Sequence, residues 1–205
     1  MSPGIFEDVV EIAKKSNIPI LPGVFTEEEF NLAHKLSISD IKFFPTNINT
    51  NEELYKAVKE PFRDEFDELG KLDFVIEPFS PVLQLSSSPA LQFVISSPTQ
   101  FYKFYQETKN QKSDSKIIIK LPDEKSGFER LKFISQKAMN LKIRTYAVGG
   151  ISEKNMENVV RNYGAYGVCP GSGMFNADAI FNKDFEKVIA DIRRNLDAIK
   201  KSTVS

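Results

Sequence analysis

Four short apolar runs, each closed by proline or glycine, restrict the folds open to this chain: IPILPG (18–23), IKFFP (41–45), KIIIKLP (116–122) and IRTYAVGG (143–150). Each suits one buried strand and is too short for a core helix. Residues with helical spacing lie beside them. IFEDVVEIAKKSN places Ile5, Val9, Ile12 and Ala13 on one helical face, and Thr26 with Glu29 forms a capping box for TEEEFNLAHKL. NEELYKAVKEPF, TQFYKFYQETKNQ and a stretch carrying Phe128, Leu131, Ile134 and Ala138 read as further helices. Ser152 is expected to cap the next, with Ile151 and Met156 as its hydrophobic staple and Gly164 at its end. AYGVCPGSG (165–173) is a last strand and turn, before a final helix with Phe185, Val188, Ile189, Ile192, Leu196 and Ile199 at helical spacing. Buried strands alternating with amphipathic helices predict a parallel α/β sheet or barrel. Residues 73–98 break their apolar stretches with Pro and Ser, and fit strands, a hairpin or a loop-rich insertion equally. No linker or low-complexity tract interrupts the chain, so 1–205 reads as one domain with a divergent segment at about 63–142.

Composition narrows the partners. A net charge of -1 over 205 residues argues against nucleic acid, which requires a basic excess. One cysteine cannot form an internal disulfide, and one histidine with one cysteine makes most metal sites unfavourable, so neither metal nor cofactor is expected. No apolar run reaches membrane-spanning length, and the N-terminus lacks a signal-like pattern, so the expected location is the cytoplasm.

Two lysines sit where chemistry is common, near the C-terminal end of a strand. Lys42 lies among Phe43, Phe44 and Pro45, and Lys120 stands in the similar IIIKLP. Desolvation there favours the neutral, nucleophilic amine, whereas a lysine that snorkels to solvent would be structural. Spacing does not separate the two. The glycine pair of AVGGIS, between a strand and a capped helix, suits a phosphate or another small anion, with Ser172 of CPGSG as a hydroxyl donor. Two ordinary glycine turns are the plainer alternative. His34 reads as a surface or packing residue, Cys169 as a small buried hydrophobe, and FYKFYQ as a helix packing face.

Taken in order, SPG, PGV-x-T and KFFP within residues 2–45 resemble the 2-keto-3-deoxy-6-phosphogluconate / 4-hydroxy-2-oxoglutarate (KDPG/KHG) aldolase family, and AVGGISEKN and GVCPGSG look like its later glycine turns. The resemblance covers about half of the chain. It implies a class I aldolase on a (β/α)₈ TIM-barrel-like fold, here incomplete or rearranged, and commonly trimeric. Lys42 matches the lysine that forms a Schiff base with pyruvate. Pro3 and Phe44 match the pyruvate pocket, and Gly149, Gly150 and Ser172 the phosphate cradle. The partner implied is a small 2-oxo acid or sugar phosphate. The family carries its catalytic glutamate and a substrate-binding arginine on strands ahead of Ser-Pro-Gly, for which these residues hold no counterpart. Glu77 of FVIEP is the acid/base candidate in its place. Pro45 and Gly149 also stand about a hundred residues apart, where one βα unit needs about a third of that. Two accounts follow: the middle segment supplies replacement strands to a rearranged, closed barrel, or the chain is an inactive homologue that binds phosphate ligands or serves assembly. Another phosphosugar lyase or isomerase is a third reading.

Overall fold

Parallel pairing dominates the molecule. The computed structural model describes residues 1–69, 73–76, 92–109, 116–123, 125–171 and 177–203. Along the chain run α1 (Glu7–Lys15), β1 (Gly23–Val24), α2 (Glu27–Lys35), β2 (Asp40–Phe43), α3 (Asn51–Lys59), α4 (Arg63–Glu68), β3 (Asp73–Ile76), β4 (Gln92–Ile95), α5 (Pro98–Thr108), β5 (Lys116–Ile119), α6 (Gly127–Asn140), β6 (Arg144–Val148), α7 (Met156–Arg161), β7 (Gly167–Cys169), α8 (Ala177–Phe181) and α9 (Phe185–Thr203). Among the described residues the seven strands form two parallel sheets, β1-β2-β6-β7 and β3-β5-β4. The protein is therefore α/β with parallel strands, and among the described residues no closed barrel forms.

The middle segment is not spliced into the first sheet. Asp40–Phe43 pairs directly with Arg144–Ala147, so β2 and β6 are neighbours although a second sheet intervenes in sequence. This accounts for the long Pro45–Gly149 spacing. One apolar cluster nevertheless joins the sheets, with Ile41 and Phe43 of β2 packed in the same core as Ile95 of β4 and Ile117 and Ile119 of β5. Polar ties link them at the C-terminal ends of their strands. Leu121 N–H donates to Asn51 Oδ1 (2.7 Å), Gly127 N–H to the Ile48 carbonyl (2.6 Å) and Ile5 N–H to Thr99 Oγ1 (3.0 Å). Ser97 Oγ donates to Glu29 Oε1 (2.5 Å). The C-terminal mouths of both sheets are thereby held together.

Several local expectations need correction. On α1, Val10 and Ala13 face the core, while Val9 and Ile12 are exposed, because the helix is oriented by what it packs on rather than by its own apolar count. Of the first apolar run, 18–23, only Gly23 is strand, paired in the two-residue Gly23–Val24. On α9, Phe185, Ile189 and Leu196 are exposed, and the buried positions include Asp191 and Asn195. The Thr26–Glu29 capping box forms as read. The FYKFYQ stretch is a packing face, with Phe101 stacked on Phe66 at 4.1 Å between centroids. No helix among the described residues is long and apolar enough to cross a membrane.

Candidate active site

Side chains alternate across a sheet, and the β2–β6–β7 register decides which of them share a face. Ile41, Phe43, Thr145 and Ala147 are all buried on one side. Lys42 pairs with Tyr146 and Tyr146 with Gly167, so these positions, with Val148 and Cys169 two residues further on, share the opposite side. Lys42 is 7% exposed, and its Nζ lies 4.7 Å from the centre of the Phe44 ring. Among the described residues no hydrogen bond or ion pair engages that nitrogen. Burial disfavours the ammonium and pulls Lys42 below the ordinary lysine value, with Cys169 acting weakly the other way. Lys120, the sequence rival, is half-buried at the end of β5 in the second sheet, where its N–H donates to the Ile95 carbonyl.

The turn after β2 is stitched to the end of β6. The Phe44–Pro45 peptide is cis. Thr46, fully buried, donates from Oγ1 to the Phe43 carbonyl (2.9 Å) and accepts the Val148 N–H (3.0 Å). Its own N–H donates to the Val148 carbonyl (2.9 Å), and Asn47 N–H to that of Gly149 (3.2 Å). Thr46→Val keeps the shape but leaves the Val148 amide without its acceptor. The substitution should destabilise the protein by about 1–3 kcal/mol, read as a lower denaturant midpoint at unchanged slope.

Gly149 and Gly150 lie under this turn at φ +93° and +67°. A Cβ at Gly149 would meet the Phe44 ring at 3.3 Å, and one at Gly150 would meet Asn47 Cβ at 2.4 Å. Close packing and left-handed backbone therefore account for both glycines. The expected cap at Ser152 does not form. Asn155 accepts the Ser152 N–H (2.9 Å) and donates to the Gly150 carbonyl (2.8 Å), and α7 starts only at Met156. The helix terminus thus stands a full turn of chain away from the glycine pair, and α7 is a short helix of 6 residues.

Pro3 arrives from the other side. Ser2 N–H donates to the Leu21 carbonyl and Gly23 N–H to that of Gly4, both at 3.2 Å, so residues 2–4 run along the edge of β1. A Cβ on Gly23 would come within 2.0 Å of the Pro3 carbonyl oxygen, and Gly23 pairs with Lys42. Pro3, Lys42, Phe44 and the Gly149–Gly150 turn are thus gathered around one sheet end. Ser172 and Glu77 lie outside the described residues. His34 is exposed, as expected. Cys169 departs from its reading as a buried hydrophobe: it is half-buried on the lysine's face of the sheet, and each of the two groups feels the other's charge. No sequence spacing signals that neighbour. Only strand register brings it there.

Residues 1–66 match the KDPG and KHG aldolase family. The KHG/KDPG aldolase of Escherichia coli is 32% identical over 62 residues, covering 30% of this chain and 29% of that protein. The 2-dehydro-3-deoxy-phosphogluconate aldolase of Dickeya dadantii is equally similar, 32% over 62 residues with the same coverage. The match therefore spans less than a third of these relatives. Among solved structures, a 4-hydroxy-2-oxoglutarate aldolase/2-deydro-3-deoxyphosphogluconate aldolase from TTHB1 aligns with 96% of this chain and 56% of its own, at 19% identity and TM-score 0.48.

Proposed function

We propose that this chain, whose first 66 residues carry the KDPG/KHG aldolase pattern, is a class I aldolase-type lyase that makes or breaks a carbon–carbon bond in a 2-oxo acid through an imine on Lys42. One observation carries the reading. Lys42 is buried against Phe44 without an anionic partner among the described residues, within the segment that matches the family. A structural lysine in that position would be expected to hold a carboxylate or reach solvent. A nucleophilic one needs neither.

The steps follow from the surroundings. Burial gives a larger fraction of free amine at neutral pH, which adds to the 2-oxo carbon, and loss of water leaves a protonated imine. The imine withdraws the electron pair released when the adjacent carbon–carbon bond breaks. Phe44 and Pro3 enclose the pyruvate end. The Gly149–Gly150 turn, with Ser172, receives a phosphate at the far end of the substrate. That assignment rests on the family resemblance and on the turn's place beside Phe44.

Borohydride reduction in the presence of pyruvate, followed by peptide mass spectrometry, tests the proposal. A reduced pyruvyl adduct on Lys42 is expected, and intact protein with excess pyruvate and no adduct there would sink it. The initial rate of trapping should rise with pH and level off below 10.5, because the buried amine loses its proton earlier than a free lysine. A rate still climbing past that value would mean an exposed lysine is reacting. Phosphorylated 2-oxo acids should be turned over at lower concentration than their dephosphorylated forms, and equal KM values would remove the phosphate cradle.

A further inference from the structure

An imine mechanism needs a group that moves protons at the carbon beside the imine, and the carboxylates of Glu29 on α2 and Asp40 on β2 are committed elsewhere. Glu29 accepts the Phe25 and Thr26 N–H groups and the Ser97 hydroxyl. Asp40, at the opposite end of β2, pairs with Arg144 (2.7 Å) and accepts the Ser39 hydroxyl (2.7 Å). The Tyr146 hydroxyl, on the lysine's own face, hydrogen-bonds to Asp40. Its ring leans over Gly167, where an added Cβ would lie 3.0 Å from it.

Beyond that ring, Lys42, Phe44, Val148 and Cys169 are described side chains on this face of β2, β6 and β7. Strand spacing and rise put the Lys42 and Cys169 Cα atoms about 12 Å apart on the same face of the sheet. Among the described residues Cys169 is the titratable group whose charge reaches Lys42. The lysine itself is a polar side chain more than nine-tenths buried, with no hydrogen-bonding partner among those residues.

We propose that Cys169 is the proton-transfer group of this site, exchanging a proton with the carbon adjacent to the imine on Lys42. The proposal rests on the aldolase reading above. In the bond-forming direction the thiolate takes a proton from the methyl carbon of the protonated pyruvate imine. The C–H pair becomes the enamine double bond, the C=N pair returns to nitrogen, and Cys169 is left as a thiol. In cleavage the thiolate takes the proton from the hydroxyl on the departing carbon, whose O–H pair becomes the aldehyde carbonyl. The carbon–carbon pair becomes the same enamine's double bond, and the resulting thiol then returns its proton to that carbon. Burial alone raises the thiol, while a cation at Lys42 lowers it. A protonated imine fixes that positive charge beside the sulfur and so favours the thiolate at the stage that uses it.

Exchange of pyruvate methyl protons in D₂O, followed by NMR on the full chain, isolates this step because no aldehyde is needed. Wild type should exchange the methyl protons, and Cys169→Ala should slow exchange by more than fivefold while adduct formation on Lys42 stays at the wild-type level. Cys169→Ser, which keeps the side-chain shape, should behave likewise and covers the case where the alanine variant fails to fold. A fall of less than fivefold in the folded variant overturns the proposal. So does a wild type that traps pyruvate on Lys42 yet exchanges nothing, a result that leaves the imine reading standing. Absence of any wild-type adduct on Lys42 removes the imine reading and this proposal together.

Discussion

Lys42→Met should abolish pyruvate trapping and lower any aldolase turnover by at least a thousandfold, while making the folded protein more stable. Methionine matches the length of the lysine stem, suits a contact with the Phe44 ring, and carries no charge. The stability gain follows from linkage. Burial lowers the proton affinity of Lys42 in the folded state, so between its lowered value and 10.5 the unfolded chain binds more protons. Folding stability then rises with pH across that window, and below it the ammonium is a constant penalty. The methionine variant should therefore unfold at higher denaturant concentration at pH 7, with a flatter pH dependence up to 10.5. Loss of stability in a well-folded Lys42→Met protein would mean the ammonium is structurally satisfied. An adduct persisting in the variant, on Lys120 for instance, would move the chemistry to the other sheet.

The largest structural effect is expected at Glu29. Its Oε2 accepts the N–H groups of Phe25 (2.6 Å) and Thr26 (2.9 Å), its Oε1 accepts the Ser97 hydroxyl (2.5 Å), and it is 6% exposed. A capping residue of α2 thereby also anchors the start of α5, whose own first turn is capped by Ser97. Glu29→Ala leaves two buried amides without an acceptor, removes the acceptor of the Ser97 hydroxyl, and opens the joint between the two sheets. A loss of about 3–5 kcal/mol is expected, a fall in Tm on the order of 10 °C for a chain of this size. Glu29→Gln should lose less than half as much, since its amide oxygen still accepts both N–H groups and its NH₂ can donate to Ser97. Equal losses in the two variants would show that the negative charge, not the hydrogen bonds, holds the joint.

What the sequence made legible was what neighbouring residues determine. The strand at Asp40–Phe43, the Thr26–Glu29 box and the buried face of α6 follow from periodicity and capping chemistry. The segment that matches the aldolase family is the one whose motifs stand close together, and Lys42, Phe44 and Pro3 lie in it. What depended on distant partners was hidden. The outward turn of Val9 and Ile12 is set by the surface under α1, and Asn155 displaced the Ser152 cap by bonding back to Gly150. The second sheet was obscured because its strands are short and separated by Pro- and Ser-rich sequence. Cys169 reads from sequence only as a small buried hydrophobe, since its position beside the lysine arises from a register across three strands.

The placing of a whole sheet between β2 and β6 affects equilibrium and kinetics very differently. Closing a connection of about a hundred residues instead of one of about thirty adds only about 1 kcal/mol of chain entropy, because that term grows with the logarithm of length. A sheet can thus be inserted between two neighbours at almost no thermodynamic disadvantage. The rate bears the burden. The β2–β6 pairing that forms the lysine's wall is among the most non-local contacts in the molecule, and non-local parallel pairing is slow. The sheet that holds the candidate chemistry is consequently the one closed by the slower kind of contact.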